Sequence, residues 1–517
     1  MQKYTLFYCS WYNLLGTTEC EPYVFYIRVF NEERRKMIEP FSFYIDKEKR
    51  ETIYFFELFL KENTKHKTLA FAEIQSALDV SAYKLERIIS DAEILSKEIG
   101  QLDVSYCKNT SVTVLGLDTV KYKQIILYEV SHSLHFKVFL HLMLNIDNYS
   151  AAEFQEKNCI SRATYFRIKG ELKKNIGPKH IHFIKTSEVH ARIYVYKVLY
   201  YFSYFEFAVP KTDRIKLQQI FKYTWLLLKL KLTNSQYKQY KYFIAINYWR
   251  NKMGHKMSAT SLPYLVEINS NVKEIHQFIE HLPKPLAETK TGAYRIARIF
   301  ANFLLSTQAL SVEQLSYSLQ DYSQVEELTQ QQLTIVHDFI GMIPPENNAL
   351  KNRLLLINVK MLIPFLLDAS YHGTKKSSFY EKSYPHISQL TKLLLQKRID
   401  FKEARPLHPR EKTELYYSYL FAIFCELPVS YFSDKVHIAV DFSQGKEYTD
   451  FIKKKINDLS LLNLEIDQFV NSKTDIYITN NFDPSFKNKQ IVLDQPPVPE
   501  DLLQLRELII HVKKEVK

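Results

Sequence analysis

Glycine is nearly missing from this chain, with ten residues in 517. Glycine supplies the left-handed backbone of tight turns and phosphate-binding loops, and it weakens helix interiors. Its scarcity, beside plentiful Leu, Lys, Glu, Gln and Ile, favours long helices. Neither a G-x-x-x-x-G-K-[ST] loop nor a G-x-G-x-x-G stretch occurs, so nucleotide-dependent chemistry has no binding loop. Cysteine is also sparse. The five, at 9, 20, 107, 159 and 425, form no C-x-x-C and no Cys/His cluster at metal-binding spacing. That argues against a disulfide framework and structural zinc, and fits a reducing, cytoplasmic setting. No cofactor is expected. No run of about 18 uncharged apolar residues exists. The nearest, Leu354 to Leu367, is broken by Lys360 and Pro364 and reads as a core helix, so no membrane partner is expected. Asp, Glu and His are scattered at helix-surface spacing with no converging acid/base set, so the chain is not expected to be an enzyme.

What is present is length and positive charge. At 517 residues several domains are required, because single cores stop growing at about 250–300 residues. A formal net charge of +12 permits a polyanionic partner, although a solvated lysine-rich surface gives the same number. Residues 1–36 are rich in aromatics and lack the basic and apolar regions of a signal peptide. Helical periodicity begins after Met37. Residues 1–44 are therefore set apart as an extension outside the main fold, with Met37 an alternative start.

The fold expected is mainly α and multidomain, with a winged-helix and helix-turn-helix N-terminal part, two helical bundles and a small C-terminal α/β domain. Residues 45–117 read as a first helix over Asp46–Asn63, two shorter ones over Leu69–Leu78 and Ser81–Leu95, and a hairpin from Gln101 to Leu117 turning at Lys108-Asn109-Thr110. Three helices and a hairpin are the order of a winged helix. Residues 118–187 read as one long helix to about Leu144, then two short ones over Ser150–Asn158 and Ser161–Ile176, ended by Gly177-Pro178. Helix follows helix from 188 to 430, with Pro283–Gly292 dividing two bundles at 287/288. Residues 431–517 alternate strand and helix, which predicts a largely parallel sheet.

Two segments carry helix-turn-helix spacing, in which one helix packs on a second that stays free to enter the major groove. The first, Phe71–Ser90, places Ile74, Leu78, Val80, Leu85 and Ile88 at the core positions. The second, Ala151–Gly170, places Phe154, Ile160, Tyr165 and Ile168 there, with polar Asn158 where the first has Leu78. Ser150 and Glu153 form a capping-box pair, and Ser161 caps the next helix. From Ser81 to Ile94 two cations face three anions, whereas from Ser161 to Ile176 five face one. Phosphate contacts dominate affinity and Arg reads guanine edges, so the second segment is expected to be the better groove reader. Its outward positions are Ser161, Arg162, Ala163, Phe166 and Arg167, with Lys169, Lys173 and Lys174 nearer phosphates and Thr164 counted among the DNA-binding residues. Ser81, Tyr83, Lys84 and Arg87 are their counterparts in the first. Double-stranded DNA is the expected partner, read by a homodimer or higher oligomer.

The tandem arrangement, and above all Ile160-Ser161-Arg162-Ala163-Thr164-Tyr165, resembles the Mga-like family of Gram-positive global transcription regulators. The resemblance spans roughly residues 45–517. It implies that 188–287 and 288–430 are phosphotransferase-system regulation domains, whose histidines take phosphoryl groups from the sugar-uptake phosphocarrier protein. Phe243-Ile244-Ala245-Ile246-Asn247, Arg250 and Gly254-His255 are similar to the stretch that holds such a histidine, which points to His255 with Lys252 and Lys256 beside the added charge. In the second domain His337, His372 and His408 are open choices. Residues 431–517 look like an enzyme IIB component, except that Asp441–Lys446 lacks the cysteine that carries its phosphoryl group, so a structural or dimerising role is implied. A phosphotransferase-linked RNA-binding antiterminator is the rival assignment.

Overall fold

The computed structural model describes residues 41–515 except 61–65, 178–180, 183, 186, 205–210, 228–229, 258–266, 269–272, 281, 283, 311–321, 342–347, 362–376, 402–406, 408, 433, 460–461 and 494. The expectations placed on residues 1–36 and Met37, and on His372 and His408, lie outside the described residues, whereas Phe41 and Tyr44, set apart with the extension at 1–44, are buried in the core. The chain divides into two compact units. One holds residues up to 186 together with 194–214, and the other holds 187–193 and 215–517.

The first unit opens with helix α1 (Lys47–Phe59), strand β1 (His66–Ala70), α2 (Phe71–Leu78), α3 (Ala82–Ile99) and a hairpin of β2 (Asp103–Cys107) and β3 (Ser111–Leu115). The strands form an antiparallel sheet in the order β1-β3-β2. Ile53, Phe56, Ile74, Leu85, Ile88, Val112 and Val114 are buried between sheet and helices. Gly116, with φ of 77°, closes the hairpin where a Cβ would come 2.5 Å from the Gln101 carbonyl oxygen. Strand β1 was not expected. The stretch His-Lys-Thr-Leu-Ala has too little alternation to signal a strand, and it is held by pairing with β3, where the Thr68 and Thr113 hydroxyls share a 2.8 Å hydrogen bond.

The helix expected from 118 to 144 is two helices, α4 (Thr119–His132) and α5 (Leu134–Met143). The break is chemical. Ser133 is extended, and its hydroxyl shares its one proton between the Tyr44 carbonyl oxygen and Asp46 Oδ1, each 2.9 Å away. Asp46 also accepts from the Leu134 N–H at 3.0 Å, so a carboxylate from the start of α1 caps α5. Helices α6 (Ala151–Lys157) and α7 (Arg162–Ile176) follow. An aromatic core of Phe41, Tyr44, Phe136 and Phe139 meets Tyr194, Tyr201 and Phe202, with the Tyr44 and Tyr194 hydroxyls 2.8 Å apart. Those last residues belong to, or directly follow, helix α8 (Glu188–Tyr201).

The second unit contains α9 (Lys211–Leu227, from Ile215 on), α10 (Asn234–Lys252), α11 (Lys273–Glu280), α12 (Lys290–Ser306), α13 (Ser323–Ile340), α14 (Asn348–Asn358), α15 (Ser377–Ser383), α16 (Pro385–Asp400) and α17 (Pro409–Glu426). Helix α12 lays Phe303 on Phe243 of α10 with ring centroids 3.9 Å apart. Leu354, Leu390, Leu394, Leu420 and Ile423 form the core of the later helices. The chain ends in β4 (Val436–Asp441), α18 (Lys446–Asn457), β5 (Leu464–Asp467), β6 (Ile476–Thr479), β7 (Lys489–Val492) and α19 (Pro499–Glu515). All strand pairs here are parallel, in the order β5-β4-β6-β7. The molecule is mainly α with a small C-terminal α/β region, as the pattern of residues predicted.

Candidate nucleic-acid interface

Each expected helix pair is present. In the first, Asp79 takes the left-handed conformation with φ of 54° and turns the chain between α2 and α3. Ser81 caps α3 by accepting the Lys84 N–H at 3.3 Å. Ile74, Leu85 and Ile88 are buried, while Leu78 and Val80 are only half-buried. In the second, Ser150 and Glu153 make the full capping box at 2.7 and 3.2 Å. Cys159, with φ of 52°, makes the turn, and Ser161 accepts the Thr164 N–H at 3.1 Å. Phe154, Tyr165, Ile168 and Leu172 are buried. Asn158, the departure from the apolar pattern, donates its side-chain amide to the Phe154 carbonyl at 2.9 Å and so ties off α6. His141 of α5 stacks on Phe154 with centroids 4.4 Å apart, which fixes the pair on its neighbour.

The exposed faces differ. On α7 Ser161, Arg162, Ala163, Phe166, Arg167, Lys173 and Lys174 are exposed, and Thr164 and Lys169 are half-buried. The Phe166 ring is flanked by the Arg162 guanidinium at 5.7 Å and the Lys169 ammonium at 5.8 Å, within cation–π reach. Among the described residues neither Lys173 nor Lys174 has an acidic partner. On α3 Ser81, Tyr83 and Arg87 are exposed and Lys84 is half-buried. The two cations of its N-terminal half are engaged by α1: Lys84 Nζ lies 2.6 Å from Glu51 and an Arg87 Nη 2.8 Å from Glu48. Sequence spacing missed this neutralisation, because Glu48 and Glu51 lie in a different helix.

Arg167 is oriented by a chain of charges that periodicity also missed. Its guanidinium lies 2.7 Å from Glu171, whose other oxygen is 2.8 Å from His135 Nε2, and His135 Nδ1 is 2.7 Å from Asp46. Burial disfavours charge on His135, yet the hydrogen bonds and charges of Asp46 and Glu171 hold its pKa above the ordinary value. Burial also opposes ionisation of Asp46, but bonds from His135, Leu134 and Ser133 outweigh it and bring its pKa down to about 2. Hydrogen bonding by His135, ahead of Arg167, lowers Glu171. The only sequence signal was Asp46 itself, a plausible helix start.

His255 is exposed in the turn after α10. Its N–H donates to the Arg250 carbonyl at 2.9 Å, and its carbonyl accepts from Arg192 at 2.7 Å. Arg192 is fully buried, and it also donates to Glu188, Asn247 and Asn251 at 2.8, 2.7 and 2.5 Å. Arg250 meets the same Glu188 at 2.5 Å. Partial burial, then the Arg250 charge, lowers the His255 pKa. Lys252 sits over the Trp249 ring at 4.8 Å, and Lys256 pairs with Glu288 at 2.5 Å. His337 Nδ1 lies 3.2 Å from Asp338. In the loop after β4, Ser443 and Asn480 bond each other at 3.0 and 2.6 Å.

Residues 118–199 match the family model described as the Mga helix-turn-helix domain. The match contains α6, α7 and the α5 histidines, while the first helix pair lies outside it. No curated protein matches the chain. Among the described residues no helix is long and apolar enough to cross a membrane.

Proposed function

We propose that this chain is a sequence-specific, cytoplasmic, non-enzymatic DNA-binding transcription regulator, acting as an activator, with α7 as its principal reader. The observation that carries this reading is the exposed face of Arg162, Phe166, Arg167, Lys173 and Lys174 within the region that matches the Mga helix-turn-helix domain. Arg162 and Arg167 have the chemistry to meet guanine edges bidentately, and the lysines to neutralise phosphates. A homodimer would present two such helices to two half-sites one helical turn apart. Selection of bound sites from random duplex DNA by the purified chain tests the reading. Enrichment of one two-fold motif is expected, and a library recovered without any preferred sequence would sink it.

Control by the sugar phosphotransferase system completes the proposal. A phosphoryl group on His255 adds a charge of about −1.5 to −2, within reach of Lys256 once that side chain leaves Glu288. The His255 backbone is tied to Arg192, so the charge arrives at one end of the buried Glu188–Arg192–Arg250 cluster. His372 and His408 are the further candidates. Reporter output should respond to loss of the phosphocarrier protein in the wild type and not in His255→Ala. Equal responses in both would remove His255 as the switch.

A further inference from the structure

Helices α18 and α19 pack on one face of the C-terminal sheet through Val436, Ile438 and Val440. Strand alternation puts His437 on the opposite face. The parallel register sets Glu465 directly beside His437, and Asp467 two residues further along the same face. One donor atom from each of His437, Glu465 and Asp467 lies within 4.8 Å of the others. His437 Nδ1 and Asp467 Oδ1 are 3.4 Å apart. That is long for a charge-assisted hydrogen bond, which runs about 2.7–2.9 Å. It is close to the edge, about 3.4 Å, of a tetrahedron whose corners stand 2.0–2.2 Å from a common ion.

The surroundings hold these donors in place. The backbone at His437 is pinned by its main-chain N–H, which donates to Asp475 Oδ2 at 2.8 Å. The second Asp467 oxygen accepts from the Asn471 amide at 3.2 Å, which leaves Oδ1 turned to the histidine. Outer-shell bonds of this type orient metal-binding carboxylates. Glu465 is half-exposed, so water can complete the coordination. We infer that His437, Glu465 and Asp467 form a site for a first-row divalent transition cation of the zinc type. An imidazole with two carboxylates suits zinc and its neighbours better than magnesium, which favours all-oxygen sets. No local Cys/His spacing announces the site, because its donors come from two strands separated by a helix. Lys435, 2.7 Å from Glu465, competes with the ion for that carboxylate.

Calorimetric titration of the metal-free full chain with Zn²⁺ tests the site, with Mg²⁺ titrated in parallel. His437→Gln and Asp467→Asn should each lose one zinc equivalent or bind it at least tenfold more weakly. His276→Ala, which removes an exposed histidine elsewhere, should match the wild type. Lys435→Met should bind zinc more tightly, and this variant leaves the three donors and the sheet core untouched if the other substitutions unfold the domain. Wild-type stoichiometry and affinity in both His437→Gln and Asp467→Asn would overturn the site. Unchanged or weaker binding by Lys435→Met, or Mg²⁺ binding as tightly as Zn²⁺, would also count against it.

Discussion

The two helix-turn-helix pairs share a backbone plan and differ in what their charges meet. Each has a serine-capped second helix, a left-handed turn residue and a buried apolar seam. On α3 the cations Lys84 and Arg87 face Glu51 and Glu48 of α1. On α7 Arg162, Lys173 and Lys174 point outward, and among the described residues only Arg167 is paired with an acid, within its own helix. The same scaffold thus yields a self-neutralised face in one case and a basic one in the other. DNA affinity rests on uncompensated cations, because neutralising phosphates releases counterions. A helix-turn-helix is therefore a DNA reader by virtue of its neighbours as much as of its own spacing.

The largest expected effect reverses charge on the stronger face. Arg162→Glu with Arg167→Glu should weaken binding to a selected site at least about a thousandfold, or about 4 kcal/mol, since each bidentate contact is worth about 1–3 kcal/mol and repulsion adds to its loss. Circular dichroism should show an unchanged fold, because both side chains are exposed. Binding within about tenfold of wild type would remove α7 as principal reader.

A smaller effect separates the pairs by pH. The His135 pKa is raised on folding, so its contribution to stability is full below the ordinary value of 6.5 and is lost as pH rises through the folded value. Asp46 is depressed, so its contribution is present above the ordinary 3.8 and lost as pH falls toward about 2. Wild-type stability should therefore decline above pH 6.5. His135→Ala should cost about 1–3 kcal/mol, the value of hydrogen bonds to charged groups, and should flatten that decline. Denaturant melts across the range decide it, and an equally steep decline in the variant would clear His135 of the role.

The smallest effect is a gain. Glu48→Gln with Glu51→Gln frees Lys84 and Arg87, and should raise DNA affinity by about tenfold or less and steepen the log–log salt slope by about 1–2. Stability should fall by no more than about 1 kcal/mol per pair, as for other solvent-exposed ion pairs. An unaltered slope would mean that α3 stays off the DNA even when uncompensated.

Much of this was legible in the sequence because it depends on neighbours a few residues away. The Ser150–Glu153 capping box, the Ser161 cap, the hairpin turn at Asn109 and the outward set on α7 all follow from local spacing. What was not legible depends on partners far along the chain. Strand β1 exists through pairing with β3, and the break at Ser133 exists because Asp46 caps α5. The engagement of Lys84 and Arg87 by α1 belongs with these. The same holds for His135, which no periodicity marks and which links Asp46 to α7 through Glu171.

The proposed division of roles puts DNA on α7 rather than on α3. The most direct test titrates one selected duplex, at one salt concentration, with Arg162→Ala/Arg167→Ala and with Lys84→Ala/Arg87→Ala. A loss of about 2–6 kcal/mol is expected for the first variant, from two contacts of about 1–3 kcal/mol each, and a clearly smaller loss for the second. Equal losses, or the larger loss in the α3 variant, would contradict it.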